Sequence, residues 1–261
     1  MNQTERLSAV LELLAETGRV EVVQIMATLG VSAATARRDL TILANQRLLT
    51  RTRGGAVGKS VAYELPVRYA RGQNAAQKHR IAIAASDLVS PGEVVGLCGG
   101  TTSTALADAL SSRADLVESS PYPGLTVVTN AINIAAQFIM RPQVKTVVTG
   151  GVVHPHSYEL VGPYSEMVLE RISLDIVFLG VNGIDPVTGA TVRDEGEARI
   201  NSLMARRATR AVIIADSSKI GATSFASIGG SELFGTFITD SGISARDEAA
   251  FRDHGIDVII A

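Results

Sequence analysis

Two stretches of this chain concentrate side chains able to bind phosphate. Between Val31 and Leu40 stand Ser32, Thr35, Arg37 and Arg38, interspersed with the small residues Ala33, Ala34 and Ala36. Hydroxyl groups and guanidinium forks hydrogen-bond phosphate oxygens, and an arginine also matches the O6/N7 edge of guanine. Ala33 and Ala34 allow a partner to approach closely. The second stretch is Gly96-Leu97-Cys98-Gly99-Gly100-Thr101-Thr102-Ser103, paired glycines running into hydroxyl residues. The amides of a glycine turn and the positive end of a following helix can hold a phosphate, with the three hydroxyls donating further hydrogen bonds. The same text also describes an ordinary strand-to-helix turn with capping threonines.

Other chemistry has thinner support. Asp185, Glu195 and Glu197 could serve as carboxylate bases. His154 and His156 flank Pro155, but no further histidine or cysteine cluster has a metal-ligand spacing, so neither a metal nor another cofactor is expected. His79 and His254 read as helix-surface residues. Cys98 reads as a small strand-end residue in preference to a thiol sensor.

The elements that must position the first stretch follow from its apolar period. Leu7, Val10, Leu11 and Leu14 fall on one face of a helix ending near Gly18, and Val22, Ile25, Met26 and Leu29 repeat the spacing up to Gly30. Ser32 caps a third helix whose inward face is Ala36, Leu40 and Leu43, leaving Ala33, Ala34, Arg37, Arg38 and Thr41 outward. Helix, tight turn and capped helix make a helix-turn-helix, whose second member lies in a major groove. Leu48-Leu49-Thr50-Arg51-Thr52-Arg53-Gly54-Gly55 then alternates like a strand, puts Arg51 and Arg53 on one face, and reads as a basic wing. The expected DNA contacts are Ser32, Ala33, Ala34, Thr35, Arg37, Arg38, Thr41, Arg51 and Arg53.

Beyond the wing, Gly58, Pro66 and Gly72 punctuate a segment with no helical stripe. The expected organisation is a winged helix-turn-helix domain over residues 1–57, a linker over 58–76 and a larger domain over 77–261. Strand-like runs at Val94–Leu97, Thr126–Thr129, Val144–Thr149, Ile176–Val181, Ala211–Ala215, Thr236–Thr239 and Val258–Ala261 alternate with helix-like segments at 101–111, 131–140, 195–209 and 244–253. That alternation predicts a Rossmann-like α/β domain with a mostly parallel sheet. Ligands bind such sheets at the carboxyl ends of the strands. The loops expected there contribute Gly99, Gly100, Thr101, Thr102, Asn130, Gly150, Gly151, Gly183, Asp185, Glu195 and Lys219, with Lys78 ahead of a helical stretch from Ile81 to Leu88 as a further cation.

Composition bounds the reading. The 261 residues are 46% apolar and 19% charged, too apolar for a disordered chain, and at roughly 100–200 residues per domain they predict two domains. A single cysteine excludes an internal disulfide and fits a cytoplasmic protein. Charges within the first thirty residues interrupt any signal-peptide core, and the apolar runs fall short of the roughly 20 residues that span a bilayer. Residues 1–60 carry eight basic and five acidic side chains, a net +3, whereas the remainder carries −5. This asymmetry gives the first segment an anionic partner.

The run from Val31 to Leu40, followed by Leu48 to Ala56, resembles the signature of the DeoR family of bacterial transcription regulators. Three departures stand out: Ala36 where isoleucine is usual, Arg47 in place of a helix-ending glycine, and Arg53 where histidine precedes the glycines. The second half is similar to the same family's effector domain, of the ribose-5-phosphate isomerase type, through Cys98-Gly99-Gly100-Thr101-Thr102, Val127-Val128-Thr129-Asn130, Thr149-Gly150-Gly151, Phe178-Leu179-Gly180, Gly183-Ile184-Asp185, Glu197-Ala198 and Asp216-Ser217-Ser218-Lys219. Cys98 departs from the aspartate frequent before the glycines.

The resemblance implies a repressor of a carbohydrate-metabolism operon, partnered by double-stranded operator DNA, a phosphorylated sugar effector and further copies of itself as a dimer or tetramer. No membrane partner is expected. The isomerases place lysine and glutamate soon after the segment resembling Gly183-Ile184-Asp185, but residues 186–205 contain no lysine, so no catalytic residues are expected. Two alternatives stay open: a sugar-phosphate isomerase-like enzyme, and a metabolite-binding protein without DNA binding.

Overall fold

Strands buried on both faces read as unbroken apolar runs, and Leu174–Leu179 shows why. Ile176 and Phe178 enter one buried cluster, with Ile81, Leu106, Leu110, Ile134 and Phe138, whereas Val177 and Leu179 enter another, with Ile200, Met204, Phe237 and Phe251. A sheet with a core on each side needs helices on each side. The computed structural model describes residues 2–17, 19–45, 48–57, 74–117, 123–155 and 157–261. It divides into two units, Met1–Gln73 and Asn74–Ala261.

The first unit contains helices α1 (Gln3–Thr17), α2 (Val22–Leu29) and α3 (Ala33–Asn45) with strands β1 (Arg19–Glu21), β2 (Thr50–Thr52) and β3 (Gly55–Val57) in the antiparallel order β1-β3-β2. Val10, Leu11, Ile25, Ala36, Leu40 and Leu43 are fully buried together, as the period of the sequence predicts. Truncating a leucine such as Leu40 in this core costs about 2–5 kcal/mol. Gly30 ends α2 in the left-handed conformation at φ 65°, its N–H donating to Met26 O at 3.0 Å. Two details differ from the expectation. Arg19–Glu21 adds a third strand beneath the wing, too short to announce itself by alternation, and Arg53 lies in the turn beyond β2. Gly18, Arg47 and Lys59 lie outside the described residues.

In the second unit, β4 (Val94–Leu97), β5 (Leu125–Thr129), β6 (Val144–Val148), β9 (Leu174–Leu179), β12 (Ala208–Ile214), β14 (Thr236–Thr239) and β15 (Asp257–Ile260) form a seven-stranded parallel sheet in the order β15-β14-β12-β9-β4-β5-β6. All seven expected strands are in it. The chain runs outward from β4 through β5 to β6, then resumes on the other side of β4 with β9. Between β4 and β9 lies the reversal point where doubly wound sheets open a ligand crevice.

Smaller elements were not expected. They are the hairpin β7 (Val152–Val153) with β8 (Leu160–Val161), and a three-stranded antiparallel sheet of β10 (Gly183–Asp185), β11 (Gly189–Val192) and β13 (Ala226–Gly229). These strands have two to four residues, too few for a periodic signal. Three expectations need correction. The helix expected over 195–209 ends at Arg206, and strand β12 begins at Ala208, three residues before the expected start. The helix expected over 131–140 covers Ile132–Phe138. Lys78 does not precede its helix but lies within it, Ala75–Ser86, and is buried there.

Candidate nucleic-acid interface and ligand crevice

The interface grows from the start of α3. Ser32 Oγ accepts the N–H of Thr35 at 3.2 Å and lies 2.9 Å from Thr35 Oγ1, so both hydroxyls serve the helix cap while remaining at the surface. Ala34, Arg37, Arg38 and Thr41 are exposed, and Ala33 and Thr35 are half-buried beside them. Arg51 and Arg53 of the wing are exposed too. Arg51 reaches back to α3, where its Nη1 donates to Arg37 O and Thr41 Oγ1.

One residue of α3 works against an anionic partner, and α1 cancels it. Asp39 is completely buried and receives a two-pronged ion pair from Arg6, Nε to Oδ2 at 2.5 Å and Nη2 to Oδ1 at 3.0 Å. With Asp39 neutralised, Arg37, Arg38, Arg51 and Arg53 set the sign of the exposed face. The motif contained Asp39, but its partner lies 33 residues away and no spacing rule connects them.

In the second unit the carboxyl ends of adjacent strands β9, β4, β5 and β6 carry Gly180, Cys98-Gly99-Gly100, Asn130 and Thr149-Gly150-Gly151 in sheet order. Lys219 follows β12 one strand further along, in the turn Ser217–Lys219. The helix Thr101–Ser112 starts after Gly100, at φ 110°, and glycine has no side chain with which to cap the first amides. Thr102 and Ser103 are buried and Thr101 half-buried. Asn130 is wholly buried; its backbone carbonyl accepts from Leu160 N–H at 2.6 Å, and its Oδ1 has no hydrogen-bond partner among the described residues. Ser165 Oγ lies 2.5 Å from Gly150 O, tying the second glycine pair to the helix Pro163–Leu169.

Cys98 fills the place after β4 with a buried thiol. Its Sγ accepts the N–H of Gly180 at 3.1 Å across the reversal point, and burial, reinforced by the negative charge of Glu159, pushes the thiol pKa up to about 12. The thiol is therefore a structural bridge between β4 and β9, kept protonated.

Three expected ligand residues sit outside this row of strand ends. Asp185 Oδ1 accepts from Val187 N and Thr188 N, both at 2.9 Å, which closes the β10–β11 hairpin and, chiefly through the Thr188 amide, holds the carboxyl below its usual range. Gly183 lies in β10 of the same small sheet, and Glu195 is exposed at the first position of the helix Glu195–Arg206.

The strongest polar cluster joins Glu159, which no motif had singled out, to Glu197, a candidate base, and His154. Glu159, 3% exposed, places its carboxyl on the N–H of Gly99, with the Glu197 carboxyl close enough to act on it. His154 Nδ1 sits 2.9 Å from Glu197 Oε1, with Asp194 Oδ2 3.9 Å from the other ring nitrogen. Burial, then the charge of Glu197, raises the Glu159 carboxyl well above its ordinary value. Segment 154–159 has no periodicity, and Glu197 lies 38 residues beyond it, so nothing in the spacing connects them. Among the described residues no group of His, Cys, Asp and Glu is arranged to hold a metal ion, and no helix is long and apolar enough to cross a membrane.

Comparison with known proteins matches this two-part arrangement. Residues 6–60 match the DeoR-like helix-turn-helix domain and residues 73–241 the DeoR C terminal sensor domain. The HTH-type transcriptional regulator GlpR of Haloferax volcanii is 32% identical over 260 residues, covering 99% of this chain and 98% of its own. The glycerol-3-phosphate regulon repressor of Escherichia coli K12 is 26% identical over 258 residues, covering 99% of each chain. Among solved structures, ribose 5-phosphate isomerase A of Methanocaldococcus jannaschii matches 57% of this chain and 55% of its own at TM-score 0.42 and 19% identity, a likeness that carries no argument about activity. Both halves of the chain lead to the same place: the protein belongs to the DeoR family of transcriptional regulators.

Proposed function

We propose that this regulator is a cytoplasmic repressor of a carbohydrate-metabolism operon, released from its operator by a phosphorylated sugar. The observation that carries the effector half is the paired glycine turn leading to an uncapped helix start at the reversal of strand order. The first amides of that helix offer a phosphate hydrogen bonds at the positive end of the helix. Related names point the same way, a glycerol-3-phosphate regulon repressor among them.

In this reading residues 1–57 are the DNA reader, 58–76 the connection and 77–261 the sensor. Ser32, Ala33, Ala34, Thr35, Arg37, Arg38, Thr41, Arg51 and Arg53 meet operator DNA. Gly100, Thr101 and Thr102 hold the phosphate in the turn that Gly99 opens, Asn130 and the Gly150-Gly151 turn line the sugar end, and Lys78 and Lys219 add positive charge. Gly183, Asp185 and Glu195 border the crevice. A homo-oligomer, dimer or tetramer, presents paired winged helices to palindromic half-sites. The effector acts through its differential affinity for DNA-competent and DNA-incompetent states. Turnover is not part of the reading, since the lysine expected of an isomerase is missing from residues 186–205.

The deciding experiment is a gel shift on DNA upstream of the protein's own gene, with and without a panel of sugar phosphates. Retarded DNA released by one member of the panel is the expected result. No specific shift at low or moderate salt would overturn the repressor reading, and turnover of ribose 5-phosphate would replace it with the enzyme.

A further inference from the structure

The first amide of the glycine turn is already engaged. Gly99 N–H donates to Glu159 Oε1, and a Cβ placed on Gly99 would meet Glu159 Cγ, Oε1 and Cδ at 2.5–2.7 Å, so the carboxyl group lies flat against the turn. Glu159 arrives from the β7–β8 hairpin, held by His154 N–H to Glu159 O at 2.7 Å and by a bridge to Ala131. The titratable groups facing it are Cys98 from the turn after β4, Asp194 and Glu197 from the start of the helix Glu195–Arg206, and His154 from its own hairpin. Two of these are carboxylic acids. Beside them Asn130 keeps a buried Oδ1 without a partner among the described residues, an acceptor waiting for a donor.

An anion reaching the amides of Gly100, Thr101 and Thr102 therefore arrives beside a carboxyl group buried with a second acid. A carboxylate would repel it, whereas a carboxylic acid would donate a hydrogen bond to it. We propose that Glu159 sets the ionic form in which the crevice takes its ligand: an oxyanion binds together with a proton from solvent, carried by Glu159, whose acid then donates to a ligand oxygen. The charge balances as dianion plus proton on the ligand side and carboxylate to carboxylic acid on the protein side. This rests on the reading of the crevice as a phosphate site.

The test is calorimetric titration of the full chain with sulfate, which stays a dianion from pH 6 to 9, in pairs of buffers that differ in ionisation heat. Wild type is expected to take up as much as one proton per sulfate somewhere in that range, with affinity falling up to about tenfold per pH unit where uptake is largest. Glu159→Gln is expected to bind sulfate without uptake and with affinity changing less than about twofold over the same range. His154→Gln should keep the uptake, which separates the carboxyl from the imidazole. Sulfate binding without proton uptake at any pH, or uptake retained in Glu159→Gln, overturns the proposal and leaves the anion site standing. No sulfate binding by wild type or Glu159→Gln overturns the anion site itself and the proposal with it. The wild-type proton count stands even if the variant fails to fold.

Discussion

The Nη1 atom of Arg51 donates to the main-chain carbonyl oxygen of Arg37 at 2.9 Å, joining the wing to the recognition helix. The same nitrogen reaches Thr41 Oγ1 at 2.9 Å. Before any DNA is present, one wing arginine is already laid along the helix face that carries Arg37. An arginine held this way loses less side-chain freedom when it meets a phosphate than one that waggles in solvent.

Replacement of these two arginines should separate base reading from phosphate contact. Arg37→Ala is expected to weaken operator binding by about 1–3 kcal/mol and to relax preference at one base pair. Arg51→Ala should weaken all sequences alike and lower the salt slope by about one. Fluorescence anisotropy across a salt series measures both, and sugar-phosphate affinity should not change.

Removing either member of the Arg6–Asp39 pair should not cost the same. Arg6 keeps 17% of its side chain in water and Asp39 keeps none. Asp39→Ala leaves a guanidinium that can turn to solvent, at about 1–2 kcal/mol. Arg6→Ala leaves a buried carboxylate without its cation, at about 3 kcal/mol or more. Hydrogen exchange of the Leu11 and Leu40 amides in the intact chain reads the difference, and equal losses would show that the pair is solvated.

Cys98 should resist modification. With its thiol buried and its pKa pushed up to about 12, almost no thiolate exists at pH 8. Iodoacetamide labelling followed by mass spectrometry should show little adduct in the native chain and full adduct in urea. Rapid native labelling would mean that the loops around Cys98 open freely.

Glu159 should make stability depend on pH in an unusual direction for a carboxyl. Its folded pKa is raised, chiefly by burial, so the native state holds this proton to higher pH than the unfolded chain does. Stability is therefore lost as pH rises from the unfolded carboxyl value, about 4.3, through the folded one. Glu159→Gln should raise the melting temperature more at pH 8 than at pH 5, and an equal shift at both would contradict the sign.

Much of the fold was legible because burial leaves a period. Ala36, Leu40 and Leu43 face inward at helical spacing, and Ile176 to Leu179 fill two cores at once, so each announced its element. The short strands of the β10-β11-β13 sheet did not, since three or four residues cannot display a period against their neighbours. At the strand ends the paired glycines and threonines were readable as a turn, and the buried acid lying on that turn was not.

Local spacing, and the choice of which residues avoid water, were enough to specify the division into two parts, the helix-turn-helix with its outward arginines, and the parallel sheet with its glycine turn. Packing brought together Arg6 and Asp39, Cys98 and Gly180, Gly99 and Glu159, and His154 and Glu197. Each of these joins residues 33 to 82 positions apart, or depends on one that does. Charge and hydrogen-bond partners are chosen by the distance left after packing, and hydrophobic period carries no information about that distance.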